Sequence, residues 1–237
     1  MSKSFWATIV AVIVVLVGIF TLTGHKSNTG STSSNKAALT QHVEGQGKAG
    51  VTLVEYGDYQ CPYCQQYYPT VKQVYTDLQD QIKFQFRNFP LTSLHPNAFA
   101  AARAAEAADK QGKFWEMHDM LYENNDPNGQ QGWVASKDAT VYFDQYAKQL
   151  GLNVDKFKQD FASIPVNDAV NADMAEGNRL GITGTPTFFL DGKQVQIGND
   201  VQTFEKIVKA EIAKKAPAAS TTTSSTPATT PSTSTGQ

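Results

Sequence analysis

The chain contains two cysteines, Cys61 and Cys64, three apart in the stretch DYQCPYCQQYY. Thiols at that spacing can form half of a zinc site, a small disulfide staple or a redox couple. A structural zinc site wants four ligands and C-x₂-C supplies two. The four histidines, His25, His42, His95 and His118, include no pair at H-x₃₋₅-H spacing, so no metal site is expected. A staple across so short a loop removes little chain entropy, and a core of this size does not depend on one. A redox couple makes better use of the position, because the thiolate is both the attacking and the leaving species in disulfide exchange.

The elements around the pair set its geometry. VTLVEY (Val51 to Tyr56) is apolar on both parities, as in a strand buried on both faces. From Pro62 to Gln79 the period changes: Tyr67, Val71, Val74 and Leu78 recur at helical spacing, with Tyr68 and Tyr75 widening the stripe. IKFQFR, from Ile82, alternates as a strand does. The cysteines therefore lie where the first strand passes into a helix. Cys61 falls at or just before the first helical residue, and Pro62 falls where a missing N–H costs nothing. Unsatisfied amides and the positive end of the helix dipole would stabilise a Cys61 thiolate. Cys64, one turn on and more buried, is placed to resolve a mixed disulfide.

Beyond this unit, His95 to Leu180 reads as helical almost throughout: PNAFAAARAAEAADK, KFWEMHDMLYE, ATVYFDQYAKQLG, NVDKFKQDFAS and Val166 to Leu180. Asp191-Gly192 between two short apolar runs predicts a hairpin. Val201, Phe204, Ile207, Val208 and Ile212 share one face of a closing helix. The order is βαβ, a block of helices, then ββα. Tyr59, Tyr63, Tyr67 and Tyr68 are candidates for an apolar docking surface, although tyrosines placed as Tyr67 and Tyr68 are more often core. His95 and His118 read as structural.

A formal net charge of −2 and the lack of any Lys/Arg-rich run exclude nucleic acid as a partner. The uncharged run from Phe5 to Phe20, extended to Thr23, is long enough at ~1.5 Å per residue to cross a hydrocarbon layer. Its length and the lack of an A-x-A-like site favour a retained transmembrane anchor over a cleaved signal peptide. With Lys3 holding the N-terminus inside, the rest of the chain is expected on the extracytoplasmic side of the cell membrane. Expected boundaries are an anchor at 1–23, a polar linker at 24–40, a folded domain at 41–216 with a helical insertion at about 93–165, and a Ser/Thr/Pro-rich tail at 217–237 too poor in apolar residues to order.

VTLVEYGDYQCPYCQQYYP, FRNFPL, AAEAADKQGKFWEMHDMLY and MAEGNRLGITGTPTFFLDG together resemble the DsbA-like thiol-disulfide oxidoreductases, in particular their membrane-tethered bacterial branch with a CPYC or CPFC site. The resemblance runs from about Gln41 to Lys215. It implies an α/β thioredoxin-like fold carrying an inserted helical domain, and a disulfide exchange that needs no cofactor beyond Cys61 and Cys64. It also implies a cis-proline at Thr185-Pro186, beside which substrate peptide pairs, and a buried acid at Glu55. Strand alternation puts Glu55 on the face of Val51 and Leu53 as well, and a raised pKa would let it take the Cys64 proton. The expected activity is dithiol oxidation of unfolded, reduced secreted proteins by a monomer that a membrane quinone-linked enzyme reoxidises. Strong oxidases of the family often carry histidine where this chain has Tyr63, and Thr185 is shared with reductases and isomerases. A reductase or isomerase, or a surface-tethered binding protein without catalysis, stand as alternatives.

Overall fold

A computed structural model of the chain describes residues 38–126 and 128–215. The expected anchor (1–23), most of the expected linker and the tail lie outside the described residues. Among the described residues no helix is long and apolar enough to cross a membrane.

Five strands form one sheet in the order β1-β3-β2-β4-β5. They are β1 (His42–Glu44), β2 (Val51–Gly57), β3 (Ile82–Asn88), β4 (Thr187–Leu190) and β5 (Lys193–Val195). The central strand β2 runs parallel to β3 and antiparallel to β4, so Glu55 stands between Phe86 and Phe188. The parallel pair needs a crossover, and α1 (Pro62–Leu78) supplies it. Between β3 and β4 come α2 (Ala98–Asp109), α3 (Phe114–Glu123), α4 (Gly132–Ala135), α5 (Thr140–Gln149), α6 (Val154–Phe161) and α7 (Ile164–Arg179). The chain then forms the β4–β5 hairpin and α8 (Val201–Lys215). At the hairpin tip Asp191 and Gly192 both have positive φ, 48° and 78°, as the tight turn read from Asp-Gly requires.

Val51, Leu53, Ile82 and Phe84 on the sheet pack against Val71, Val74 and Leu78 of α1 and Phe204 and Val208 of α8. A second core, including Met117, Leu121, Trp133, Phe143 and Phe157, joins the helices to Phe86 and reaches both cysteines. The helical block and the redox pair thus share one apolar interior. Its alanines let α2 pack closely: Ala101, Ala104, Ala105, Ala107 and Ala108 are fully enclosed.

Three features differ from the sequence reading. Strand β1 was not foreseen, since three residues with one apolar member carry no period. Helix α7 starts at Ile164 rather than Val166, because Ser163 caps it by accepting the Val166 N–H. Thr40, at the end of the expected linker, is bound into the core: its N–H and hydroxyl both donate to the fully buried Asp173 carboxylate. The same carboxylate accepts from Arg87 Nη1 at 3.1 Å and the Asn88 N–H at 3.0 Å, so its buried charge is fully paired.

Candidate active site

Cys61 is the N-cap of α1, with extended backbone (φ −69°, ψ 122°) and Pro62 as the first helical residue. Its carbonyl accepts the first helical bond, from the Gln65 N–H. The Cys61 thiol is not wrapped by a cap bond of its own and points toward Thr185, whose carbonyl oxygen lies 3.5 Å away. Both sulfurs are free thiols. Only 4% of Cys61 meets solvent, and Cys64 is fully enclosed.

The two thiols ionise very differently. The Cys64 S–H donates to Cys61, and this bond does most to lower the Cys61 pKa, to about 6; burial opposes it. The Thr185 side chain and the amides of Cys64 and Tyr63 add to the lowering. The Thr185 hydroxyl is buried and finds no other partner among the described residues, which leaves it free to serve a thiolate. Cys64 is pushed well above the ordinary thiol value, first by burial, then by the bond it gives Cys61 and by repulsion from a Cys61 thiolate. One turn of helix separates a thiol that ionises readily from one that keeps its proton.

Glu55 lies where strand alternation placed it, 3% exposed, its pKa raised to about 8 by burial and then by the Cys61 charge. The Thr185-Pro186 bond is cis. Pro186 immediately precedes β4, and its loop borders a groove of about 420 Å³ between Tyr63 and Tyr67 on one side and Gln194 to Ile197 on the other. Tyr63 is 65% exposed at this rim. Tyr67 is half-buried and donates to the Ile197 carbonyl. Tyr59 corrects the docking expectation. It is 1% exposed and packed, in tilted and edge-on ring contacts, among Phe86, His118 and Tyr122, so it belongs to the core.

Two further groups stand close to the pair. The Asp58 N–H points at Cys64 Sγ at 3.5 Å, and its carbonyl accepts the Cys61 N–H. Its buried carboxylate holds His95 Nδ1 at 2.7 Å and the Leu91 N–H at 2.8 Å. His95 was read as structural. Its bond to Asp58 is the largest cause of its raised pKa, burial opposes it, and a Cys61 thiolate raises it further, so the His95 ring lies within electrostatic reach of Cys61. The available signal was weak: an acid three residues before the first cysteine, and a His-Pro opening the Ala-rich helix. Gly57 is required here, since a Cβ would collide with the Phe86 ring and lie 2.9 Å from the Tyr122 hydroxyl.

A family model described as thioredoxin matches residues 37–210. Among solved structures, a thioredoxin-like oxidoreductase from Silicibacter pomeroyi is 28% identical, with a TM-score of 0.59 over 74% of this chain and 92% of its own. Oxidised BdbD from Bacillus subtilis is 25% identical, with a TM-score of 0.62 over 73% of this chain and 93% of its own. Among curated proteins, the Na(+)/H(+) antiporter NhaA 1 of Salinispora arenicola is 40% identical over 153 residues, which are 65% of this chain but 22% of the antiporter. The chain thus spans about a fifth of the length of the curated relatives it matches. Fold, cysteine placement and family match agree: the chain belongs to the thioredoxin family, with the fold of its DsbA-like thiol-disulfide oxidoreductases.

Proposed function

We propose that the chain is an extracytoplasmic dithiol oxidase, tethered to the cell membrane by Phe5 to Thr23, that donates the Cys61–Cys64 disulfide to unfolded, reduced secreted proteins. The observation that carries this reading is the opposed ionisation of the two sulfurs. A stabilised Cys61 thiolate is a good leaving group and favours the reduced state, so the disulfide is readily given away. A substrate thiolate attacks Cys61 Sγ, breaking the internal bond, and Cys64 leaves as a thiolate that takes a proton from Glu55. A second substrate thiolate then attacks the substrate sulfur of the mixed disulfide and releases Cys61 as its thiolate, oxidising the substrate by two electrons. The groove along Thr185 and Pro186 offers backbone to an extended peptide beside Cys61. A membrane quinone-linked enzyme then takes the two electrons from the reduced pair and restores the Cys61–Cys64 disulfide. The antiporter relatives, in which the matched segment is part of a protein named for ion transport, support work beside a membrane.

The reading is tested by redox equilibration against glutathione and by melting both redox forms at pH 7. An oxidase has a potential well above the roughly −270 mV of thioredoxin, and its reduced form melts higher. A potential near that of thioredoxin, with a reduced form that melts lower, assigns the chain to a reductase.

A further inference from the structure

Between α1 and α3 lies a cavity of about 230 Å³ that shares no lining residue with the peptide groove. Lys72 and Thr76 are exposed at its mouth, and Glu55, His118 and Tyr122 are buried in its depth. Aromatic rings form much of the wall. Tyr75 meets Phe84, and Phe84 meets Trp115, at centroid distances of 5.8 and 5.7 Å, and Tyr68 stacks on Tyr122 at 5.2 Å. The polar atoms divide by type. The donors are spent: the three Lys72 protons meet the Tyr68 hydroxyl at 2.8 Å, Asp119 Oδ2 at 2.9 Å and Glu123 Oε1 at 3.2 Å. The hydroxyl of Tyr68 donates to Glu123, that of Tyr75 to Glu44 and that of Thr76 to the Lys72 carbonyl.

The acceptors are left open. Asp119 Oδ1, an acceptor only, lies 3.2 Å from His118 Nδ1, so that nitrogen carries the proton of the ring, which burial keeps neutral, and Nε2 is a bare acceptor. His118 is 5% and Tyr122 1% exposed, yet neither His118 Nε2 nor the Tyr122 hydroxyl finds a partner among the described residues. No hydrogen bond contributes to the shift of the Glu55 carboxyl. In all, three carboxyl groups, Glu44, Glu55 and Asp119, line the cavity against one ammonium, and Lys72 is already shared with Glu123. Buried acceptors are costly until a donor reaches them, and ring faces attract cations. Among the described residues no three His, Cys, Asp or Glu side chains converge as a metal ion requires. The volume is below the ~300 Å³ at which pockets for drug-sized ligands begin.

We propose that this cavity is a binding site for a small organic cation, a primary ammonium on a short alkyl or aryl body. The ammonium supplies the missing donors to the open acceptors, and the body lies against the rings. The site stands whichever way the cysteine pair exchanges electrons.

The probes are methylammonium and benzylammonium chloride, titrated into the full chain and followed at the Trp115 indole N–H resonance, which Trp115→Phe identifies. Benzyl alcohol, benzoate and sodium chloride are the neutral, anionic and ionic-strength controls. At least one ammonium shifts the resonance saturably, and the controls do not. Glu44→Gln keeps the side-chain shape and weakens that binding roughly tenfold or more, the scale of a lost hydrogen bond to a charged group. Thr76→Trp, on the exposed face of α1, sets a ring over the mouth and abolishes saturation. If neither ammonium gives a saturable shift, the cavity holds water alone and the proposal is overturned. Equal shifts with benzyl alcohol or benzoate make it an apolar pocket, which also overturns the cation site. Ammonium binding that either variant leaves intact belongs elsewhere on the chain and overturns it too.

Discussion

Cys61 and Cys64 sit one turn apart on the same helix, yet the fold treats them as opposites. At the N-cap, Cys61 collects donors: the Cys64 thiol, the Thr185 side chain and two helix amides. Cys64, fully enclosed, meets the Asp58 amide at a long 3.5 Å and, nearby, the carboxyl of Glu55. Both are shielded from water, so burial alone does not decide their chemistry. Donor count does. Desolvation is offset at Cys61 and left standing at Cys64, and in the proposed function that difference sets the order of events, nucleophile first and resolver second.

The sharpest way to break this comparison is to remove one sulfur at a time. Cys61→Ser is expected to abolish insulin reduction and oxidative refolding of a reduced substrate; activity that survives shows the assignment of Cys61 to be wrong. Cys64→Ser keeps the nucleophile and is expected to accumulate mixed disulfides with substrate, visible on a non-reducing gel.

Glu55→Gln comes next. The folded-state pKa of Glu55, about 8, lies above its unfolded value near 4.5, so the neutral carboxyl costs nothing below about pH 4.5 and stability is lost as pH rises toward 8. By pH 7 the loss amounts to about 3 kcal/mol at most. The variant should therefore melt higher than the parent at pH 7 to 8 and match it near pH 4, while its Cys64 step slows. Equal melting shifts at both pH values would show that Glu55 is ionised in the fold.

Cys61 carries the opposite sign. Its pKa is lowered to about 6, so the associated stability of the reduced protein is complete above the ordinary thiol value and disappears as pH falls through 6. At pH 7 it amounts to roughly 1.4 kcal/mol. Thiolate absorbance of the reduced protein should titrate with a midpoint near 6, and the signal should vanish in Cys61→Ser. A midpoint near 8.5 would remove the distinction between the two sulfurs.

The smallest effect expected is from His95→Gln. Removing the partly exposed imidazole beyond Asp58 should raise the Cys61 midpoint by less than about one pH unit. No movement would confine the support of Cys61 to the Cys64 thiol, the helix terminus and Thr185.

Much of this site was legible because its determinants are local. The cysteine spacing, Pro62 after Cys61 and the change from strand to helix period place the pair at a helix mouth whatever the rest of the chain does, and alternation along VTLVEY turns Glu55 inward. Asp-Gly gave the hairpin for the same reason: the turn is a property of two residues. Tyr59, His95 and His118 were not legible in this way, since each owes its role to a partner far along the chain. Tyr59 is enclosed by Phe86 and Tyr122, His95 is held by Asp58, and His118 is turned by Asp119 toward a cavity whose far wall is Glu55.

The sequence by itself determined where the thiol pair sits, because the change of period and Pro62 place it at a helix start that carries its own donors. Tertiary structure decided how far the two thiols differ and which groups meet at the cavity. Those depend on desolvation by residues from β2, α1 and α3 and on the Thr185 loop, which only the packed fold brings within reach.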